Sequence, residues 1–483
     1  MSGLKSLAKD TAIYGLSSIV GRFLNYLLVP IYTAKISAES GGYGVISNVY
    51  AYTALLLVIL TYGMETTFFR FANKEGENPL QVYRTTMCAL ACTSCFFVAA
   101  VLLLLHPIAS AMGYADHPDY IWVMALTVAI DAFQCIPFAY LRYAKKAVKF
   151  ASLKLLNILL SIALNVFFFV VWPLYTGIAT EVGYAFYINL ACSALLTLGF
   201  AKELSLFRWH IDTALLRRML QYSWPILVLG IAGILNQTAD KILFPYIYPG
   251  ENAHEQLGIY SASSKIAMIM AMITQAFRYA YEPFVFGKNK DKDNKQTYAL
   301  AMKYFILFTL LAFLVVMGYL QLLKHIIGSD YWSGLQAVPV VMVAEIMMGI
   351  YFNLSFWYKL TDRTIWGAWF SGIGCAVLIA ANVVLVPRYG FMACAWAGVA
   401  GYGTAMVLSY LVGQRYYPIS YPLKSIAAYV ALAALLATGI NYCNAHFTTL
   451  CALGANTVMI GIFAGATIWK NFNIKRIVKR NGN

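Results

Sequence analysis

Fourteen apolar stretches recur along the 483-residue chain, and short polar connections separate them. Each stretch has about 20 residues, which is the length of helix that crosses the hydrocarbon core of a bilayer. Only 11% of the residues are charged, and this excludes both a soluble globular domain and a disordered chain. The sequence therefore predicts an all-α polytopic membrane protein. The predicted spans lie at 11–32, 43–69, 85–105, 119–140, 152–172, 180–201, 221–247, 256–280, 300–322, 335–357, 366–386, 390–413, 424–442 and 449–469.

The formal net charge of +15 is explained by membrane orientation, so it does not indicate a nucleic-acid partner. With the N-terminus on the cytoplasmic side, the cytoplasmic connections and tails, together with the span ends beside them, hold 29 Lys and Arg residues. The connections on the other side then hold three. Because short cytoplasmic loops are enriched in Lys and Arg, both termini are predicted to be cytoplasmic. The basic side would also contact anionic lipid headgroups.

The two halves of the chain match at an offset of 214–217 residues. Residues 43–47 align with 257–261, for example, and Asn165 aligns with Asn382. Six spans per repeat is an even number, so both repeats begin on the same side of the membrane. We therefore expect two six-helix lobes related by a pseudo-twofold axis, with substrate between them and alternating access by rocking of the lobes. The predicted domains are the lobes at 1–201 and 221–413, a cytoplasmic linker at 202–220, and a helix pair with a basic tail at 414–483.

Four segments near the N-terminus carry a family resemblance. They are YGLSSIVGR at 14–22, PIYT at 30–33, GYGVISNVY at 42–50 and GMETTFFRF at 63–71. Together they resemble the Wzx-type O-antigen and capsule flippases of the multidrug/oligosaccharidyl-lipid/polysaccharide exporter superfamily. The resemblance implies movement of an undecaprenyl-pyrophosphate-linked oligosaccharide from the cytoplasmic to the outer leaflet of a bacterial inner membrane. A glycan polymerase or glycosyltransferases would then be partners.

Three other functions stay open. The fourteen predicted helices resemble the lipid II flippases more than the Wzx group. A drug/cation antiporter of the same superfamily would favour an acidic or aromatic pocket. A membrane glycan polymerase or ligase would use Asp116, His117 and Asp119 on an outward loop, but that loop has no repeat partner of the same chemistry. We therefore do not expect an enzyme.

Charges inside the spans are the candidate substrate-binding groups. A charge at the bilayer centre costs at least about 2.5–3.5 kcal/mol, so a buried charge points to function. Arginine binds phosphate oxygens bidentately and lysine supplies a point charge, as a pyrophosphate requires. Two alternatives stay open: Asp240 and Lys241 could neutralise each other, and Arg22 could bind backbone carbonyls. The predicted substrate-binding residues are Arg22, Asn25, Gln237, Asp240, Lys241 and Lys265.

A second set of charges lies at the cytoplasmic ends of spans two and eight. Glu65 and Arg70 end span two, and Arg278 and Glu282 end span eight in the reverse order of sign. A pseudo-twofold axis would bring Glu65 and Arg278 to similar depth, which predicts a cytoplasmic gate. The alternative is that all four are solvated helix ends or pair within their own helices.

Buried carboxylates can couple transport to an ion, because burial favours their protonated form. Asp131 in span four and Glu345 in span ten occupy related positions in the two halves, and Asp240 is a third candidate. Coupling to Na⁺, H⁺ or the membrane potential would fit these residues. A hydrogen-bonded anchor between helices is the alternative for Asp131 and Glu345. No metal site and no other cofactor is predicted.

Overall fold

The fold consists of helices and their connections, as seen in a computed structural model that describes residues 26–288, 294–361 and 363–471. Within these ranges there is no β-strand, and 12 helices are long and apolar enough to cross a membrane. A shorter apolar helix at Gly183–Leu198 corresponds to the sixth predicted span. The first predicted span begins outside the described residues. The predicted all-α polytopic membrane fold is confirmed, and about fourteen spans agree with it.

The described residues form two compact units, and the first comprises residues 26–261 and 382–391. A π-helical turn at Phe167–Val171 connects its helices α7 and α8. Its helices are α1 (Leu28–Lys35), α2 (Gly42–Thr61), α3 (Met64–Ala72), α4 (Pro79–Leu103), α5 (Leu105–Ala111), α6 (Pro118–Tyr143), α7 (Ala147–Val166), α8 (Trp172–Thr176), α9 (Gly183–Leu198), α10 (Ala201–Leu204), α11 (Thr213–Ile247) and the start of α12 (Ala253–Lys288).

Helix α6 lies at the centre of this first unit. It packs against α2, α4 and α9, and 67% of its apolar window is buried. The window in 147–176, by contrast, is only 17% buried, so most of its apolar surface is left for lipid. Helix α11 packs along α2, which places both helices in the same unit.

The second unit comprises residues 262–381 and 392–471. Helix α13 packs in it against α15 and against the C-terminal pair α19 and α20. Asn456 Nδ2 donates to the Gly318 carbonyl at 2.9 Å, which ties α20 to the end of α13. Besides the rest of α12, its helices are α13 (Asn294–Gly318), α14 (Leu320–Leu323), α15 (Val338–Leu354), α16 (Phe356–Leu360), α17 (Ile365–Tyr389), α18 (Phe391–Tyr416), α19 (Leu423–His446) and α20 (Thr449–Asn471), with 3₁₀ turns at Lys324–Ile326 and Ser329–Ala337. Residues 382–391, at the end of α17 and the start of α18, belong to the first unit.

The predicted lobes at 1–201 and 221–413 rest on the internal repeat, whereas the compact units rest on packing. Helix α11 falls in the second predicted lobe by sequence and packs against α2 of the first. The packing of helices into compact units does not test lobe boundaries that were predicted from the internal sequence repeat. The predicted domain boundaries therefore stay a prediction.

The start of α12 approaches α2 with no room for a side chain at Gly44. A Cβ atom added there would lie 1.8 Å from the His254 carbonyl oxygen. The two backbones thus meet directly, as small residues allow in membrane helix pairs.

The second membrane span is broken between α2 and α3. Tyr62 and Gly63 both adopt left-handed backbone angles, with φ of 34° and 72°. A Cβ atom at Gly63 would lie 3.0 Å from the Ile226 Cβ on α11, so glycine meets both the backbone angle and the close approach. The break redirects α3 relative to α2.

We expect Gly44→Ala to destabilise the protein, because the added methyl group overlaps the His254 carbonyl. Overpacking of this kind costs about 1–3 kcal/mol. Thermal unfolding of the purified protein should show a lower midpoint. Gly233→Ala is the matched control, since a Cβ atom at Gly233 meets nothing within 4 Å. An unchanged midpoint for Gly44→Ala would contradict the direct backbone contact.

Candidate functional site

Helix α11 carries an ion pair within its apolar span. Lys241 Nζ lies 2.9 Å from Asp240 Oδ2, and the Tyr260 hydroxyl of α12 donates to the same oxygen at 2.9 Å. Lys241 Nζ also lies 5.5 Å from the centre of the Tyr260 ring. The predicted residues Asp240 and Lys241 are thus brought together, with Tyr260 as a partner that sequence analysis missed. A neutral pair lowers the cost of placing both charges in the span.

Pro245 explains why a side chain from another helix donates a hydrogen bond to the backbone carbonyl of Lys241. In a helix the Lys241 carbonyl would accept from the N–H of residue 245, and Pro245 has none. Asn48 of α2 supplies the missing bond, since its Nδ2 donates to the Lys241 carbonyl at 2.7 Å. Neighbouring side chains satisfy proline-freed carbonyls in this way within membranes.

Asn48 is itself held in place. The Tyr114 hydroxyl, from the connection between α5 and α6, donates to Asn48 Oδ1 at 2.7 Å. Burial raises the pKa of the Tyr114 hydroxyl, which keeps the proton that this bond needs. The amide of Asn48 is thereby oriented with its nitrogen toward α11.

The ion pair is accessible from one side. Gln237, one turn before Lys241, is exposed, and the Lys241 side chain keeps 21% of its surface exposed. The described protein therefore leaves this side of the pair uncovered. The geometry at α11 thus offers a lysine ammonium and an amide, both from predicted substrate-binding residues, to an incoming anion.

The remaining predicted binding and coupling residues are Arg22, Asn25, Lys265 and Glu345. Arg22 and Asn25 are outside the described residues, so their substrate-binding role stays a prediction. Lys265 lies in the part of α12 that belongs to the second unit, and it is half-buried there. Glu345 lies half-buried in α15 of the same unit. Their predicted roles in binding and coupling stay predictions.

Asp131 lies in a hydrogen-bonded network between α6 and α9. The Ser193 hydroxyl donates to Asp131 Oδ1 at 2.7 Å. Gln134 Nε2 donates to the Ser193 carbonyl at 2.6 Å and to the Thr197 hydroxyl at 2.8 Å. This network has the geometry of the anchor alternative, and the same carboxylate keeps its candidate role in ion coupling.

Lys154 is a charged residue within a span that sequence analysis missed. It is the third residue of the predicted span 152–172, and α7, which begins at Ala147, places it two turns inside the helix. Its Nζ lies 4.1 Å from the Phe138 ring centre, and its charge interacts with that of Asp131. Across the described ranges, no three His, Cys, Asp or Glu side chains come together in a group that could hold a metal ion.

The four predicted gate residues have these positions. Glu65 forms an ion pair with Arg142 of α6, a partner that the sequence did not indicate. The Arg70 guanidinium lies 4.0 Å above the Tyr222 ring, and that of Arg278 lies 5.1 Å above the Phe352 ring. The Glu282 side chain is outside the described part of the chain. The cross-lobe gate therefore stays a prediction.

A family model described as "Polysaccharide biosynthesis protein" matches residues 7–280, which is more than half of the chain. No curated protein sequence matches the chain significantly.

Several solved structures share the fold. A structure titled lipid II flippase MurJ, in an inward closed conformation, matches with a TM-score of 0.72 and 13% identity, over 95% of this chain and 99% of that one. An inward-facing multidrug resistance MATE family transporter of the MOP superfamily matches with a TM-score of 0.64 and 15% identity, over 81% and 93%. The MATE multidrug transporter DinF-BH matches with a TM-score of 0.60 and 16% identity, over 84% and 95%. The chain thus has the fold of these flippases and transporters.

Asn48→Ala should destabilise the protein, because it leaves the Lys241 carbonyl without a donor in the hydrocarbon. An unsatisfied buried group costs about 1–3 kcal/mol. Adding Pro245→Ala should restore much of the lost thermal stability, since alanine at this position regains the N–H that bonds to this carbonyl. No rescue in the double variant, measured as the unfolding midpoint, would mean that Asn48 acts through other contacts.

Proposed function

Because the chain belongs to the polysaccharide biosynthesis protein family, we propose that it is a flippase for an undecaprenyl-pyrophosphate-linked oligosaccharide. It would move this lipid from the cytoplasmic to the outer leaflet of a bacterial inner membrane by alternating access. Both termini would be cytoplasmic. Membrane lipids would surround the protein. A glycan polymerase or glycosyltransferases would be its partners and would act on the same lipid-linked oligosaccharide.

The observation that carries this proposal is the accessible Lys241 ammonium inside an apolar helix. A pyrophosphate brings negative charge into a medium of low dielectric, where only a nearby cation can offset it. Lys241 keeps an open side next to Gln237, so a phosphate oxygen can reach the ammonium. Asp240 and Tyr260 hold the lysine in place until the substrate arrives.

A lipid II flippase is the second candidate. The likeness to the structure titled lipid II flippase MurJ covers nearly the full length of both chains. Lipid II also carries a pyrophosphate, so the same cationic groups would serve it. The sugar attached to the lipid is what separates the two candidates.

We propose no catalytic role. The structural neighbours are flippases and transporters, and their chemistry is movement rather than bond breaking. The candidate acid–base residues His117 and Asp119 lie 3.7 Å apart at the start of α6. Asp119 is also the acceptor for the Tyr187 hydroxyl at 2.8 Å, which suits a structural contact.

Protons suit Asp131 better than sodium as a coupling ion. A sodium ion at this carboxylate would remain a full charge beside the Lys154 ammonium, whereas a proton taken up from one side of the membrane would convert Asp131 to a neutral carboxylic acid and could be released on the other side. Asp240 and Glu345 are the remaining candidates for an ion site.

Lys241→Ala should lower export of the lipid-linked oligosaccharide at least about tenfold, because the loss of one charge-assisted contact is worth that much. Arg22→Ala and Lys265→Ala should act in the same way. Export is measured as substrate reached by a probe outside the membrane, at matched protein levels. Lys35→Ala, an exposed lysine at the end of α1, is the control.

A double variant separates binding from stability. Asp240→Asn with Lys241→Gln removes both charges, so a purely structural pair would tolerate the change. We expect this protein to insert normally and to export no better than Lys241→Ala. Full export by the double variant, or by a triple alanine variant at positions 22, 241 and 265, would disprove a substrate role for these cations.

Replacing Na⁺ with K⁺ should leave transport into proteoliposomes unchanged, whereas collapse of the proton gradient should slow it. Asp131→Asn should remove the dependence on the proton gradient, and Ser193→Ala should weaken it. Loss of transport on removal of Na⁺ would shift the coupling role to Asp240 or Glu345.

A further inference from the structure

Helix α3 has one buried face and one open polar face. Met64, Phe68 and Phe71 are buried in the first unit. Thr66 and Arg70 are exposed and lie one turn apart on the opposite side. Since this helix is part of the apolar span 42–72, an exposed polar face there lies toward water rather than lipid.

Arg70 is held in a fixed orientation on this face. Its guanidinium carbon lies 4.0 Å above the centre of the Tyr222 ring of α11, which is the geometry of a cation–π contact. Among the described residues, no carboxylate or carbonyl accepts a hydrogen bond from this guanidinium. The stack orients the plane of the group and leaves its row of N–H donors available.

Within α3 the charged residues are Glu65 and Arg70, so Arg70 is the one cation of this helix. Glu65 on α3 forms an ion pair with Arg142, whose guanidinium lies 4.8 Å from the Phe69 ring. That carboxylate offsets the charge of Arg142. The three groups together keep one positive charge, and it is on Arg70.

The position along the membrane identifies the ligand. Arg70 is two residues from the end of α3, and this end of the span is the one predicted to be cytoplasmic. Tyr222 and Lys241 are 19 residues apart on α11, and a helix of that length spans about 28 Å, close to the thickness of the hydrocarbon core. The Arg70–Tyr222 contact and Lys241 are thus separated along α11 by about the thickness of the hydrocarbon core.

We propose that Arg70, held flat on Tyr222, is the site where the diphosphate of the lipid-linked substrate first binds on the cytoplasmic side. The inference rests on the proposed function and adds an entry site to it. The planar guanidinium fork matches two phosphate oxygens, and the ring keeps that fork in place before the substrate arrives. Lys241 then receives the diphosphate near the other leaflet.

The test measures binding of undecaprenyl pyrophosphate to the full-length protein in phosphatidylcholine nanodiscs. Arg70→Gln should raise the dissociation constant about tenfold, as expected for the loss of a bidentate charged contact. Tyr222→Leu should raise the dissociation constant several-fold. Tyr222→Phe should keep the wild-type affinity because the aromatic ring remains. Wild-type affinity for Arg70→Gln would overturn the entry site.

Arg363 offers a matched control, since it is an exposed arginine whose guanidinium lies 4.3 Å above the Tyr416 ring. Arg363→Gln should bind undecaprenyl pyrophosphate like the wild type. A loss equal to that of Arg70→Gln would mean that any surface arginine has this effect, which contradicts the proposal.

Competition separates the two sources of phosphate. Unlabelled undecaprenyl pyrophosphate should displace bound, labelled undecaprenyl pyrophosphate at a lower concentration than phosphatidylglycerol does. This difference should be seen only in proteins that keep Arg70. Equal displacement would make this a general headgroup site and would overturn the entry role.

If Arg70→Gln binds undecaprenyl pyrophosphate normally while Lys241→Ala stops export, the entry site is wrong and the proposed flippase function is still supported. If the wild type binds no undecaprenyl pyrophosphate, both proposals fail.

Discussion

A carbonyl that Pro245 leaves without its helical donor determines how α2 and α11 fit together. Hydrocarbon offers no substitute partner, so the bond from Asn48 to the Lys241 carbonyl must come from the protein. That bond fixes the rotation of α2 against α11, and Tyr114 fixes Asn48 in turn. The open side of the Asp240–Lys241 pair follows from this rotation.

Charges within the first unit are arranged in compensated groups. Lys241 pairs with Asp240, Arg142 pairs with Glu65, and the buried Glu203 accepts from Lys149 at 2.5 Å. Pairing makes each charge tolerable in or near the hydrocarbon. A cation that stays reachable despite this pairing, such as Lys241, is therefore a place where a phosphate can bind.

Much of the candidate site follows from helical periodicity along one segment. Residues four apart share a helix face, so Gln237 and Lys241 were predicted to lie together, and they do. Lys154 was missed as a candidate because it is the third residue of the predicted span 152–172, where a lysine resembles one at a helix end, and the helix start at Ala147 places it two turns inside. Tyr260, Asn48 and Arg142 were missed because their partners come from other helices.

The sequence by itself determined that this chain spans the membrane many times as helices. Hydrophobicity and length are local properties of a segment, and a bilayer accommodates any apolar helix that is long enough to cross it. It also determined the neighbouring charges on α11, since these depend only on helix geometry. Which helices meet was decided by tertiary structure alone. The placement of Arg70 on Tyr222 and of Asn48 on the Lys241 carbonyl depends on close packing between segments that are far apart in the chain, and no local pattern encodes such contacts.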